Sequence, residues 1–141
     1  MADAETLRRL VRLRREDRFL EYKESGAWND LKDKIAKTAL GMANIRDGGT
    51  IVLGVSERSG QFEPEGVSTE HLATYHSDEV QDYIHRFADP YVRTELQPFE
   101  DGNRSFLAIV VHRTASRVGL LPEVAAETSD AASFEKQREG L

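Results

Sequence analysis

The sequence predicts an α+β domain: a single mixed β-sheet of five to six strands with helices packed on it. Three stretches carry that expectation. Thr50-Ile51-Val52-Leu53-Gly54-Val55 is a run of β-branched and aliphatic residues without polar alternation, the pattern of a central strand covered on both faces. Leu31, Ile35, Thr38, Ala39 and Met42 recur at three- and four-residue steps, which predicts a helix over 30–43. Residues 91–99 and 104–112 read as antiparallel strands around Glu100-Asp101-Gly102-Asn103, a hairpin turn.

The remaining elements follow in chain order. Leu7, Leu10, Val11 and Leu13 form an apolar stripe, which predicts a helix over 4–16. Phe19 to Lys23 alternates apolar and charged residues and reads as a short strand. Gly26 breaks it, and Asn29 or Asp30 is the expected N-cap of the next helix. That helix ends near Asn44, and Asp47-Gly48-Gly49 signals a turn. Ser59-Gly60 predicts a hairpin into a strand at 61–63, and residues 68–73 a short helical turn. Val80, Tyr83, Ile84 and Phe87 share a face, so 77–87 is expected to be helical, with Pro90 as its stop. After Arg113 the pattern fades into Ala, Glu and Ser. The expected organisation is a domain over 1–118 and a flexible or accessory tail over 119–141.

Composition narrows the function classes. The chain has no cysteine, which removes disulfides, thiolate catalysis and Cys-ligated zinc. No apolar run approaches the roughly 20 residues that span a bilayer, so no membrane role is expected. The acidic opening Met-Ala-Asp-Ala-Glu-Thr lacks the apolar region of a signal peptide, and a bacterial-type cytoplasmic location is expected. The net charge of −6 is unevenly spread: residues 1–58 hold 12 Lys/Arg and 10 Asp/Glu, whereas residues 59–141 hold 7 and 15. Arg8, Arg9, Arg12, Arg14, Arg15 and Arg18 fall within eleven residues. Such a cluster either neutralises phosphates or lines a solvated helix face.

Two blocks carry a resemblance. Glu16-Asp17-Arg18-Phe19-Leu20-Glu21-Tyr22-Lys23 has the form E-x4-E-[FY]-K, and Ala43-Asn44 through Val55 has the form A-N-x-x-x-G-G-[TY]-[IL]-x-[IL]-G-V. Together they resemble the Schlafen/AlbA-type DNA-binding domain, and residues 6–112 can be followed along that family's pattern. The resemblance implies a Schlafen-core-like half and a role in binding RNA or DNA. Arg8, Arg12, Arg15, Arg18 and Lys23 are then the expected phosphate contacts. In the animal branch it implies a metal-dependent endoribonuclease acting on tRNA or rRNA. By matched position its carboxylates would be Glu16, Glu21 and Glu57, which would hold Mg²⁺ or Mn²⁺, with Lys23 steadying the scissile phosphate. Two departures stand out. Members often carry Asp-Asp after the Gly-Val, where this chain has Ser56-Glu57. They also usually continue past the hairpin strand with a proline-containing segment and a Tyr-x-Arg strand, where this chain has its Ala/Glu-rich tail.

Each candidate has a structural reading beside the functional one. Glu16 suits an exposed helix end, Glu21 and Lys23 a cross-strand or local ion pair on a sheet face, and Glu57 a solvated turn. The glycines at 48 and 49 suit a tight turn, and with no G-x4-G-K-[ST] there is no Walker loop. His71, His76, His85 and His112 form no ligand pattern. Trp28 is expected either to stack on a base or, more commonly, to pack over the start of its helix. Three functions remain: a nucleic-acid-binding module, a Mg²⁺- or Mn²⁺-dependent endoribonuclease, and a protein-assembly domain. A homodimer fits the first, because one small domain presents little continuous basic surface.

Overall fold

The computed structural model describes residues 3–45, 48–89, 92–112 and 119–120. The order is α1 (Ala4–Leu13), β1 (Leu20–Lys23), α2 (Trp28–Met42), β2 (Gly49–Leu53), β3 (Val55–Arg58), β4 (Gln61–Pro64), α3 (Thr69–Leu72), α4 (Ser77–His85), β5 (Ala88–Asp89), β6 (Thr94–Asp101), β7 (Arg104–Val111) and β8 (Gly119–Leu120). The main sheet has four strands in the order β1-β2-β7-β6, and β3-β4 and β5-β8 form separate two-stranded ribbons. β1 runs parallel to β2 and the other pairs are antiparallel, so the sheet is mixed as expected. The parallel pair requires a crossover, which α2 provides.

The main sheet is narrower than the five to six strands expected, and Gly54 is the reason. The apolar run Thr50–Val55 is not one strand: it breaks at Gly54, whose φ of +114° admits no ordinary side chain. A Cβ there would stand 2.7 Å from the Phe106 ring and 3.0 Å from the Gly66 backbone. The chain therefore turns out of the sheet, and β3 pairs with β4 instead. Their hairpin closes on Ser59 and Gly60, both at positive φ (52° and 78°), as a two-residue turn with the twist of its strands requires.

Period-two alternation on β2 and β7 sorts the core into two layers. Ile51, Leu53, Leu107, Ile109 and Val111 face α2 and α4, meeting Ile35, Ala39, Val80 and Ile84. Val52, Phe106 and Ala108 face α1, meeting Leu7 and Val11 together with Leu20, Tyr22 and Phe99. β2 is thus covered on both faces, as its unbroken apolar run predicts. Leu7 and Val11 are wholly buried, each contributing about 1.5–3 kcal/mol of hydrophobic stabilisation.

Both main helices depart locally from expectation. α1 ends at Leu13, not at residue 16, because Arg14 turns left-handed (φ 54°), and Leu13 is left half-exposed. α2 begins at Trp28, ahead of the expected caps Asn29 and Asp30. Its N-cap, Ala27, has no capping side chain; the Thr74 hydroxyl accepts from the Trp28 N–H at 2.9 Å instead. Trp28 is buried edge-on against Tyr75 and Tyr83, so it packs over the helix start. Except for β8, the tail expected at 119–141 lies outside the described residues, as do Asp47 and Pro90. Among the described residues no helix is long and apolar enough to cross a membrane.

Candidate functional site

β1 is an edge strand with two unlike faces. Leu20 and Tyr22 are buried against α1, and the alternation sends Glu21 and Lys23 to the α2 side, as expected of residues two apart. There they face Lys34, Lys37 and Thr38 of α2 across a seam. Lys23 Nζ donates to Glu21 Oε2 at 2.5 Å, and the Thr38 hydroxyl donates to the same oxygen at 3.2 Å.

Two adjoining cavities run along this seam. The larger, about 550 Å³, is lined by Asp17, Arg18, Glu21, Lys23, Lys34, Lys37 and Thr38, with Gly41, Met42 and Ile45 on its apolar side. The smaller, about 330 Å³, is lined by Glu16, Tyr22, Glu24, Glu57 and Phe62. Lys23 and Lys34 belong to both and form the wall between them. Lys34 and Lys37 were not among the residues that the sequence pattern singled out. Their signal is that Lys34, Lys37, Thr38 and Gly41 fall at three-, four- and seven-residue steps, one polar seam opposite a strand bearing Glu21 and Lys23.

The expected residues divide between this cleft and the fold. Glu16 is not on a helix. It lies in the connection after α1, where its Oε2 accepts the outward Tyr22 N–H at 2.9 Å. Asp17 and Leu20 exchange backbone hydrogen bonds of 2.9 and 3.1 Å beside it, so the connection folds back over the free edge of β1. Arg8 donates from Nε to the Glu100 carbonyl at 2.8 Å, and Arg12 pairs with Asp101 at 2.7 Å, tying α1 to the β6–β7 turn. The Arg12 guanidinium accordingly holds the Asp101 carboxyl below its ordinary range. Arg9 pairs with Glu5 and Arg14 with Glu63. Arg15 and Arg18 are exposed and make no ion pair among the described residues. Arg18 alone of the arginine cluster reaches the larger cavity.

Glu57 is exposed on β3, with its side chain toward the smaller cavity. Ser56, the departure from the acidic pair, is buried on the opposite face of β3 and donates to Glu65 Oε1 at 3.0 Å. Arg58 pairs with the same carboxylate at 2.7 Å, and together they lower Glu65 to about 2. Burial pushes the Tyr22 hydroxyl up, and it donates to the Leu10 carbonyl. Beyond the strand end, Ser25 shares a 2.7 Å hydrogen bond with His71 Nδ1 and accepts the Ser68 N–H, fastening β1 to α3.

The three carboxylates do not fit a common Mg²⁺ or Mn²⁺ centre. Among the described residues no three His, Asp or Glu side chains converge closely enough to hold a metal ion. Glu16 and Glu57 line one cavity and Glu21 the other, and an oxygen of Glu16 and one of Glu21 already accept hydrogen bonds from this chain. No reaction step through a metal follows from this arrangement.

Fold and cleft together define an α+β domain whose edge strand and crossover helix enclose a seam of lysines and carboxylates. The chain belongs to the Schlafen/AlbA_2 family, whose sequence model matches residues 16–140. Several solved structures share the fold, two of which illustrate it. One is the N-terminal domain of a RecG-related protein from Nitrosomonas europaea (22% identity, TM-score 0.54), aligned over 81% of this chain and 75% of that one. The other is the DIP2311 protein from Corynebacterium diphtheriae (18% identity, TM-score 0.52), aligned over 81% of this chain but only 22% of that longer one. No curated protein matches this chain.

Proposed function

We propose that this chain binds nucleic acid, with phosphates held along the β1–α2 cleft by Arg18, Lys23, Lys34 and Lys37. Arg15, exposed on the same connection as Arg18, extends the set. The observation that carries this reading is the wall between the cavities: Lys23 and Lys34 form it, and Arg18 and Lys37 flank it on the larger side. Four cations along one seam can neutralise a backbone locally although the whole chain carries −6. Arg8 and Arg12 lie outside the proposed set, a choice supported by their hydrogen bonds to Glu100 and Asp101 at the β6–β7 turn.

The test is fluorescence anisotropy with labelled tRNA, single-stranded RNA and duplex DNA across a salt series. The double variant Lys34→Ala/Lys37→Ala should weaken binding and flatten the salt dependence by about two phosphate contacts. Arg12→Ala should leave that slope unchanged. Binding indifferent to the lysine pair would remove the cleft from the interface.

The endoribonuclease reading has one point in its favour: Glu16 and Glu57 line the same cavity as Lys23. Cleavage of labelled tRNA in Mn²⁺ but not in EDTA, lost in Glu21→Ala, would establish it. A chain that binds no nucleic acid would point to protein assembly, and sedimentation would then test the homodimer.

A further inference from the structure

The larger cavity is lined by four cations, Arg18, Lys23, Lys34 and Lys37, beside the carboxylates Asp17 and Glu21, and has an apolar floor of which a glycine forms part. Gly41 is the penultimate residue of the fifteen-residue α2, in helical conformation, where glycine weakens a helix relative to alanine. Packing does not require it. A Cβ at 41 would meet no atom within 4 Å, whereas at Gly26, Gly49 and Gly54 it would come within 2.9, 2.6 and 2.7 Å of a neighbour. Nor is it at positive φ. What its missing side chain does leave is an open shelf in the cavity that Met42, Ile45, Arg18 and Lys34 also line, with Lys34 two turns along the same helix face.

We propose that this shelf seats one unpaired base of a single-stranded nucleic acid, with the adjoining phosphate against Lys34 and Arg18. The inference rests on the nucleic-acid reading of the cleft and adds the form of the ligand. A base presents a flat apolar face and needs a floor without a projecting side chain. A duplex keeps its bases stacked inside and offers the cleft only phosphates. A volume of about 550 Å³ suits a nucleotide, which has an apolar ring at one end and a charge at the other. Phe19, half-exposed and next to Arg18 in the chain, supplies a ring on which a neighbouring base can stack. RNA and DNA single strands share this chemistry, so both are probes.

The experiment uses the full chain with Gly41→Leu and Gly41→Ala, each first checked by denaturant unfolding, where both should be at least as stable as the parent. Anisotropy then compares labelled single strands of about 12 nucleotides with a hairpin duplex of the same composition. Gly41→Leu should weaken the single strand about tenfold and the duplex by less than about twofold. Gly41→Ala should move in the same direction by a smaller factor, and it decides the matter if the leucine variant fails to fold. Unchanged single-strand affinity in the Gly41 variants, with affinity lost in Lys34→Ala/Lys37→Ala, would overturn the shelf and leave the cleft standing. Equal loss of single strand and duplex would also overturn it. A parent chain that binds neither would overturn the cleft reading itself.

Discussion

Replacing Glu21 with glutamine separates a binding cleft from a catalytic one. Lys23 Nζ lies 2.5 Å from Glu21 Oε2, so a phosphate that draws on this ammonium does so against a carboxylate already holding it. A phosphate oxygen on the far side of the ammonium, at an ordinary charge-assisted distance, would stand about 5 Å from the Glu21 carboxylate. Two negative charges that far apart repel by about 0.8 kcal/mol at the dielectric of water, or about fourfold in affinity. The side chains of Glu21 and Lys23 are 35% and 15% exposed, so the water value is the appropriate lower figure. Glutamine keeps an oxygen for the Thr38 hydroxyl and removes only the charge. Glu21→Gln should therefore bind a labelled strand about threefold to fivefold more tightly at low salt. The gain should shrink as salt approaches 0.1 M, where the Debye length falls to about 10 Å. Anisotropy titrations at two ionic strengths measure it. Unchanged or weaker binding at low salt would refute the claim that Lys23 meets phosphate. Loss of metal-dependent cleavage with binding retained would instead make Glu21 a catalytic carboxylate.

Three further outcomes test the fold around the cleft. Gly54→Ala should destabilise by about 2–4 kcal/mol in urea unfolding, combining positive-φ strain with the clash on Phe106 and Gly66. Leu7→Ala, which empties a wholly buried site in the α1 layer, should cost about 2–5 kcal/mol and leave the lysine seam intact. Glu65, lowered from an ordinary 4.5 to about 2 by Arg58 and Ser56, contributes stability that is present above pH 4.5 and lost as pH falls through about 2. The difference in stability between the parent and Glu65→Gln should therefore hold from pH 7 to 5, shrink between pH 4.5 and 2, and vanish only below about pH 2, as acid-unfolding curves would show.

Much of this architecture was legible in local patterns. The helical spacing from Leu31 to Met42 and the turn signal at Glu100–Asn103 act within a few residues, and α2 and the β6–β7 hairpin form there, the turn itself narrowing to Gly102 and Asn103. What escaped depends on distant partners. The cap of α2 comes from Thr74, 46 positions away, so nothing near Trp28 announces it. Gly54 reads as one more residue of an apolar run until Phe106 and Gly66 are seen to close on it. The site follows the same rule. Glu21 and Lys23 share a face because a strand alternates, and that was predictable. Lys34 and Lys37 look like ordinary solvated helix lysines until the parallel pairing of β1 with β2 sets α2 across from Lys23. Arg8 and Arg12 show the same dependence on distant partners, since a dense arginine run gives no hint that a hairpin 92 and 89 residues downstream hydrogen-bonds two of its members.

The bond between Glu16 and the Tyr22 amide bears on how mutants of this cleft are interpreted. Glu16 is both a lining group of the smaller cavity and the cover of an open sheet margin. Its removal exposes a backbone donor on a strand that another chain can then join. An inactive or poorly behaved Glu16 variant thus confounds chemistry with self-association. Glu57, which lines the same cavity with no hydrogen-bond or ion-pair partner among the described residues, is the cleaner probe of what that chamber does.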